Sequence, residues 1–177
     1  MFAREDDARR VYDVLPRRLG RFGLDLHPEK TRLLDFRSPR NGGREHVSFD
    51  FLGFTHYWGK SRRGLFVIWR KTAKSRFRRA LRATAEWCRN YRHAPIEVQH
   101  AALCRKFRGH CAYYGLTGNA RALVLFRHMM LQTWRKWLRR RSNKARKAWD
   151  WWGQLLERYP LPPARVVHSV YRAVASP

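Results

Sequence analysis

Thr72-Ala-Lys-Ser-Arg-Phe-Arg-Arg-Ala-Leu-Arg-Ala-Thr-Ala-Glu-Trp-Cys-Arg-Asn-Tyr91 is where this chain changes period. Phe77, Leu81, Thr84, Cys88 and Tyr91 step by four and three, which places them on one face of a helix. Arg76, Arg78, Arg79, Arg82 and Arg89 cover much of the remaining surface. Downstream the helical period continues. Pro95 sits where a helix can start, and Leu103, Phe107, Cys111 and Tyr114 form a second stripe that ends at Gly115. Gly118-Asn119 opens a third helix with Leu123, Phe126, Met130, Trp134 and Trp137 on its apolar side. Ser142-Asn143 can cap a fourth, running to about Tyr159, where Pro160, Pro162 and Pro163 end it and leave an extended tail.

Upstream of Thr72 the pattern is different. Residues 8–22 carry Val11, Val14, Leu15, Leu19 and Phe22 on one helical face, with Pro16 able to kink it and Gly23 as its stop. Residues 32–36, 48–55 and 65–69 predict short strands. Ser38-Pro-Arg-Asn-Gly-Gly43 between the first two contains Asn-Gly, the strongest hairpin signal in the chain, and Gly59-Lys-Ser-Arg-Arg-Gly64 is a second, basic turn. The predicted fold class is α+β. A helix with β-hairpins over residues 1–71 precedes an all-α basic bundle over 72–142, and residues 143–177 form a C-terminal helix and Pro-rich extension.

A chain of 177 residues with 44% hydrophobic and 14% aromatic content can bury a core and is not a disordered basic tail. Its formal charge is +26, and between Asp50 and Asp150 the only acids are Glu86 and Glu97. Such a field repels itself and calls for a polyanionic partner. Nucleic acid fits, because neutralised phosphates release counterions. A membrane surface is the other candidate; it would want a basic amphipathic helix or an apolar run of roughly twenty residues, no such run occurs, and nucleic acid is the partner expected. Cys88, Cys104 and Cys111 form no CxxC pair and suit free thiols in a reducing cytosol. With no leader visible after Met1, the expected location is cytoplasmic.

Two stretches upstream of Thr72 add a resemblance. Arg21-Phe-Gly-Leu-Asp-Leu-His-Pro-Glu-Lys-Thr31 matches a Leu-X-Leu-X-X-Glu-Lys-Thr motif at Leu24, Leu26, Glu29, Lys30 and Thr31, and Phe49-Asp-Phe-Leu-Gly-Phe54 contains Phe-Leu-Gly. Together they resemble the last two blocks of the reverse-transcriptase palm in group II intron-encoded proteins. Leu103-Cys-Arg-Lys-Phe-Arg-Gly-His110, Tyr113-Tyr-Gly-Leu-Thr-Gly-Asn119 and Trp134-Arg-Lys-Trp-Leu-Arg-Arg-Arg-Ser142 resemble the thumb, or maturase X domain, of that family. Leu155-Leu-Glu-Arg-Tyr-Pro-Leu-Pro162 echoes its C-terminal extension. The resemblance runs from about residue 4 to residue 168. It implies the C-terminal part of an intron reverse transcriptase, because the family's Tyr-X-Asp-Asp hairpin has no counterpart in these residues.

The resemblance implies roles for particular residues. Lys30 corresponds to a lysine proposed to protonate the pyrophosphate leaving group, a role it can have only in a complete polymerase. Phe51, Leu52 and Gly53 correspond to the primer grip, where Gly53 lets another backbone approach closely. The helical bundle implies contacts with template-primer or with structured intron RNA, and so assistance to splicing. The chemistry of the residues agrees: Lys71, Lys74, Arg76, Arg78, Arg79, Arg82, Arg135, Arg139, Arg140, Arg141 and Lys144 can pair with phosphates. Trp134, Trp137, Trp149, Trp151 and Trp152 can fill a core or stack on unpaired bases, and the adjacent Trp151 and Trp152 are not expected to face inward together.

Asp6-Asp7 is not a catalytic pair, since it follows Arg4-Glu5 and opens a helix, where acids favour the dipole. His100, Cys104 and Cys111 share one side of a helix but are too few for a closed metal site. No cofactor is expected in this chain. Mg2+ belongs only to a complete polymerase, whose carboxylates would hold it. The expected partners are group II intron RNA or another structured RNA, and a separately encoded N-terminal reverse-transcriptase half. The alternatives are a general basic nucleic-acid-binding protein and a truncated relic without function.

Overall fold

The computed structural model describes residue 2 and residues 4–43, 47–141 and 149–168, with backbone alone at Trp149 and Asp150. Two compact units result, Met1–Val47 and Ser48–Pro177. The composition change at Thr72 therefore marks the passage from sheet to helix, while the division between units comes earlier, at Val47.

In the first unit, α1 spans Glu5–Gly20. Glu5, Asp6 and Asp7 lie in its first turn and Arg17 and Arg18 in its last, as the helix dipole favours. Pro16 lies inside without ending it. Gly23, at φ 68°, donates to the Gly20 carbonyl (3.1 Å) and turns the chain away, so the helix stops short of Phe22. Ala8 is the buried residue of the helix, whereas Val11 and Val14 of the predicted apolar face are exposed.

Residues 32–36 form no strand. Nothing among the described residues pairs with them in a sheet, and Asp35 turns the chain by accepting from the Arg37 backbone N–H (3.1 Å) and guanidinium (2.9 and 2.6 Å). The Asn-Gly signal produces a turn but no hairpin. Pro39–Asn41 is a short 3-10 turn, Ser38 Oγ accepts from Arg40 N–H (3.4 Å), and Gly42 has φ 76°. With no strand on one side, the turn chemistry has nothing to join.

The second unit begins with a three-stranded antiparallel sheet of order β1-β2-β3, from Ser48–Phe51 (β1), Phe54–Lys60 (β2) and Phe66–Thr72 (β3). The single strand predicted over residues 48–55 is thus a hairpin. Phe51 pairs with Phe54, and the loop is Leu52-Gly53, with φ 48° and 81°. Positive φ at both positions is the conformation whose twist suits a two-residue hairpin. Glycine adopts it freely, and leucine does so at a steric cost. The third strand matches expectation, extended at its end to Thr72.

Four helices follow among the described residues: α2 Lys74–Asn90, α3 Ile96–Tyr114, α4 Ala120–Leu138 and α5 Trp149–Arg158. Leu103, Phe107, Leu123, Phe126, Met130, Trp134 and Leu138 form the buried centre, with Phe77, Leu81, Trp151, Trp152 and Leu155 packed on it. Trp151 and Trp152 are both half-buried against this core, contrary to the sequence expectation. Tyr91, assigned to the inner face of α2, is 51% exposed, because the helix ends at Asn90 and the chain turns there. The cap predicted at Ser142-Asn143 lies outside the described residues.

Three polar side chains, Asn119 and Gln99 buried and Arg127 half-buried, join these elements. Asn119 accepts from Thr72 N–H (3.0 Å) and donates to Thr72 Oγ1 and the Tyr114 carbonyl (both 2.8 Å), tying β3 to both ends of the α3–α4 connection. Gln99 donates to the Arg92 and Ala94 carbonyls (3.3 and 2.8 Å) and accepts from the Trp134 indole N–H (2.9 Å). Arg127 donates to the Leu161 and Pro162 carbonyls (2.9 and 2.8 Å), so the extended C-terminal segment lies against α4. All these groups are satisfied, as their burial requires.

Candidate nucleic-acid interface

Helix α2 turns two unlike faces outward and inward. Thr84 and Cys88 are buried and Phe77, Ala80, Leu81 and Trp87 pack on the core, while Lys74, Arg78, Arg79, Arg82 and Arg89 are exposed. At 100° per residue, Arg78, Arg82 and Arg89 fall within roughly 40° of one another, so they make a stripe along the helix. The arrangement follows directly from the sequence period: core packing fixes the rotation of the helix, and the arginines are left facing water. Glu86 is the one carboxylate on α2. Among the described residues, no arginine of the stripe has an ion-pair partner.

At one end of α2 the β1–β2 turn meets the C-terminus of α3. Tyr113 Oη donates to the Leu52 carbonyl (2.8 Å), and Ala73 N–H donates to the Gly53 carbonyl (2.9 Å). Both carbonyls of the strained turn are therefore held. Phe54 is buried against Tyr113 and Tyr114, with ring centroids 5.8 and 5.3 Å away. Leu52, Gly53, Arg76, Tyr113 and Tyr114 line an open concavity of about 570 Å³. A Cβ on Gly53 would lie 3.2 Å from Tyr114 Oη, at a φ that side chains avoid. Phe51 and Leu52 are 58% and 68% exposed at its rim. Burial raises the Tyr114 hydroxyl above its ordinary value, the neighbouring Tyr113 adding to this and Arg76 and Arg79 opposing it, so it is a neutral donor at pH 7.

The remaining basic residues nominated from sequence divide by environment. Lys71 Nζ lies over the Tyr57 ring (4.9 Å), Arg135 over Trp152 (6.0 Å) and Arg140 over Trp137 (5.1 Å). Each holds its charge over an aromatic face, which attracts it, and keeps N–H donors that can reach a phosphate. Arg139 is exposed. Arg141 is half-buried and donates to the His93 and Ala94 carbonyls (both 3.1 Å), which gives it a structural task at the turn after α2. Lys144 lies outside the described residues. Lys30 is exposed in a turn of the first unit, its N–H bonded to the His27 carbonyl (3.2 Å).

The cysteines are buried, and burial pushes the Cys88 thiol up to about 12, which leaves it protonated and unreactive. Cys104 Sγ lies 3.2 Å from His100 Nε2, and no group of three or more potential metal ligands occurs among the described residues. His110 stacks on Phe126 (3.8 Å), and burial lowers its pKa to about 4. Its ring is neutral at pH 7 and adds nothing to the positive surface. No helix among the described residues is long and apolar enough to cross a membrane.

The sequence places Tyr114 on the apolar stripe of α3 and Asn119 at the opening of α4, and gives no sign that they and Tyr113 meet β3 and the β1–β2 turn. Their neighbourhood with Thr72 and the Leu52-Gly53 turn is a long-range contact, and only the pairing of two aromatics just before a Gly hinted at it. Comparison with protein-family models, with curated proteins and with solved structures gives no match to this chain.

Proposed function

We propose that this chain is an RNA-binding protein, the maturase portion of a group II intron reverse transcriptase. It binds structured intron RNA to assist splicing, or template-primer when a complete polymerase is assembled. The observation that carries this reading is the arginine face of α2: Arg78, Arg79 and Arg82 exposed opposite the core-facing Phe77, Leu81 and Thr84. A fixed helix with guanidinium groups along it can track a phosphate backbone with little ordering cost. The Phe51–Phe54 turn, pinned at Leu52 and Gly53 with Arg76 beside it, suits the primer-grip role. The helix and hairpin region then corresponds to the end of a palm, and the helices from α2 onward to the thumb.

Polymerisation would need carboxylate-held metals from the rest of such an enzyme, and Lys30 would act only there. The exposed Val11, Val14, Phe22 and Leu24 of the first unit suit a surface that a separately encoded N-terminal half would cover.

The test is the salt dependence of RNA binding. Arg78→Gln, Arg79→Gln and Arg82→Gln combined should weaken binding and lower the slope of log K against log salt by roughly two to three units, up to one per lost phosphate contact. The variant should keep its helical circular dichroism, because none of the three touches the core. An unchanged slope would remove α2 from the interface and leave the reading without its main support.

A further inference from the structure

The chain leaves α2 through a turn that carries a second, separate feature. Tyr91 stacks on Trp87 with ring centroids 5.1 Å apart and planes 20° from parallel, and Lys106 Nζ lies 5.7 Å from the centre of the Trp87 ring. Trp87 is half-buried against the core, yet Tyr91 remains 51% exposed. A large aromatic ring that is supported on an indole and still open to solvent contributes little to the core. Its backbone is held unusually well for a surface turn. Tyr91 N–H donates to the Trp87 carbonyl and Ala94 N–H to the Tyr91 carbonyl (both 3.0 Å). The carbonyls of Arg92, His93 and Ala94 accept from Gln99 or Arg141, and Gln99 is itself fixed by the buried Trp134 indole.

Three cations neighbour the pair in sequence or in space. Arg89 is exposed, Arg92 is half-buried with its guanidinium on the Arg89 carbonyl (3.2 Å), and Lys106 comes from α3. Glu86 is the one carboxylate on α2.

We propose that the Trp87–Tyr91 pair is a stacking platform for one unpaired nucleobase of the bound RNA, with Arg89, Arg92 and Lys106 holding the adjoining phosphates. The site lies at the far end of α2 from the Leu52-Gly53 turn, and the inference rests on the reading of the protein as an RNA binder. An aromatic ring fixed in place by a neighbouring indole and a pinned backbone loses little freedom when a base lands on it. Stacking needs no particular base, since every base has a π-face, so the platform selects unpaired over paired nucleotides rather than sequence. Duplex RNA keeps its bases in the helix and can use only the cations.

The experiment measures full-length protein binding to two labelled probes at one salt concentration: a short oligo(U) and a blunt-ended RNA duplex with the same number of phosphates. Tyr91→Ala should weaken oligo(U) binding roughly 5- to 100-fold and change duplex binding less than about 2-fold. Tyr91→Phe should retain oligo(U) binding. Tyr91→Leu keeps an apolar cover on Trp87 without a π-face and should lose it, which separates stacking from a packing defect. Equal losses on both probes, or full binding by Tyr91→Leu, would overturn the platform. Unchanged oligo(U) binding by Tyr91→Ala would overturn it too and point to a protein partner for this surface. If the arginine variants of α2 still weaken binding in that case, RNA binding itself stands. If wild-type protein binds neither probe, the platform falls, while the reading as an RNA binder is decided by the salt titration with intron RNA.

Discussion

Trp134→Ala is expected to destabilise the second unit by about 3–5 kcal/mol from lost burial and cavity formation. The side chain is fully buried at the meeting of α4, α5 and α3, with the Trp152 ring edge-on at 5.8 Å. The indole N–H also satisfies Gln99, which is itself 1% exposed. Removing it leaves the Gln99 carbonyl oxygen buried without that donor, a further cost of about 1–3 kcal/mol. A loss of this size approaches the whole stability of an ordinary domain. Urea titration followed by circular dichroism should show an unfolded or barely folded variant, with RNA binding lost alongside. Trp134→Phe keeps most of the volume and should fall between the two. A Trp134→Ala midpoint within about 0.5 M of wild type would mean that the core is centred elsewhere.

Gly118→Ala is the second large effect. Gly118 has φ 91°, and a Cβ there would meet Trp69 Cε3 at 2.5 Å and Cζ3 at 2.7 Å. At the five-membered ring of the same indole, a Cβ on Gly59 would meet Cδ1 at 2.4 Å and Nε1 at 2.8 Å. Trp69 of β3 therefore packs directly on a glycine of its neighbouring strand and on a glycine of the α3–α4 connection. Backbone strain and overpacking each cost about 1–3 kcal/mol, and here both apply. The adjacent Asn119, which holds Thr72 and Tyr114, would shift with the backbone. Thermal unfolding of Gly118→Ala should begin well below that of wild type. The double variant Gly118→Ala, Trp69→Ala should recover part of the loss, because the clash is gone and only strain and lost packing remain. If Trp69→Ala gives no recovery, the contact between ring and turn is not what makes Gly118 necessary.

What could be read from the sequence was what repeats. Phe77, Leu81, Thr84 and Cys88, then Leu103, Phe107 and Cys111, then Leu123, Phe126, Met130 and Trp134 all lie on the core sides of α2, α3 and α4. A helix rotates its apolar stripe into the core and the opposite arginines into solvent, so the exposed face of α2 was legible at the same time. Non-periodic features were not. Leu52 in the left-handed region has no signal in its own identity, because the turn is imposed by the pairing of Phe51 with Phe54 and by bonds from Tyr113 and Ala73. Residues 32–36 have strand composition, but a strand exists only with a partner. Tyr91 continues the α2 stripe by count and leaves it in space, since the helix ends one residue earlier. Arg141 looks like its neighbours Arg139 and Arg140, yet it caps the Tyr91–Ala94 turn through two carbonyls that only the folded chain brings near. For Leu52, residues 32–36 and Arg141 the missing information was a distant neighbour, and for Tyr91 it was the residue at which the helix ends.

Competition binding tests the central claim most directly. Labelled group II intron RNA is bound to purified full-length protein and challenged with unlabelled tRNA or duplex DNA at a low and a high salt concentration. Neutralised phosphates alone give an affinity that any polyanion can claim and that falls by orders of magnitude as salt rises. The account predicts that intron RNA resists both competitors at the higher salt, because folded RNA offers phosphates spaced for α2 together with unpaired bases. Equal competition by all three, with binding lost as salt rises, would contradict it and leave a general polyanion binder.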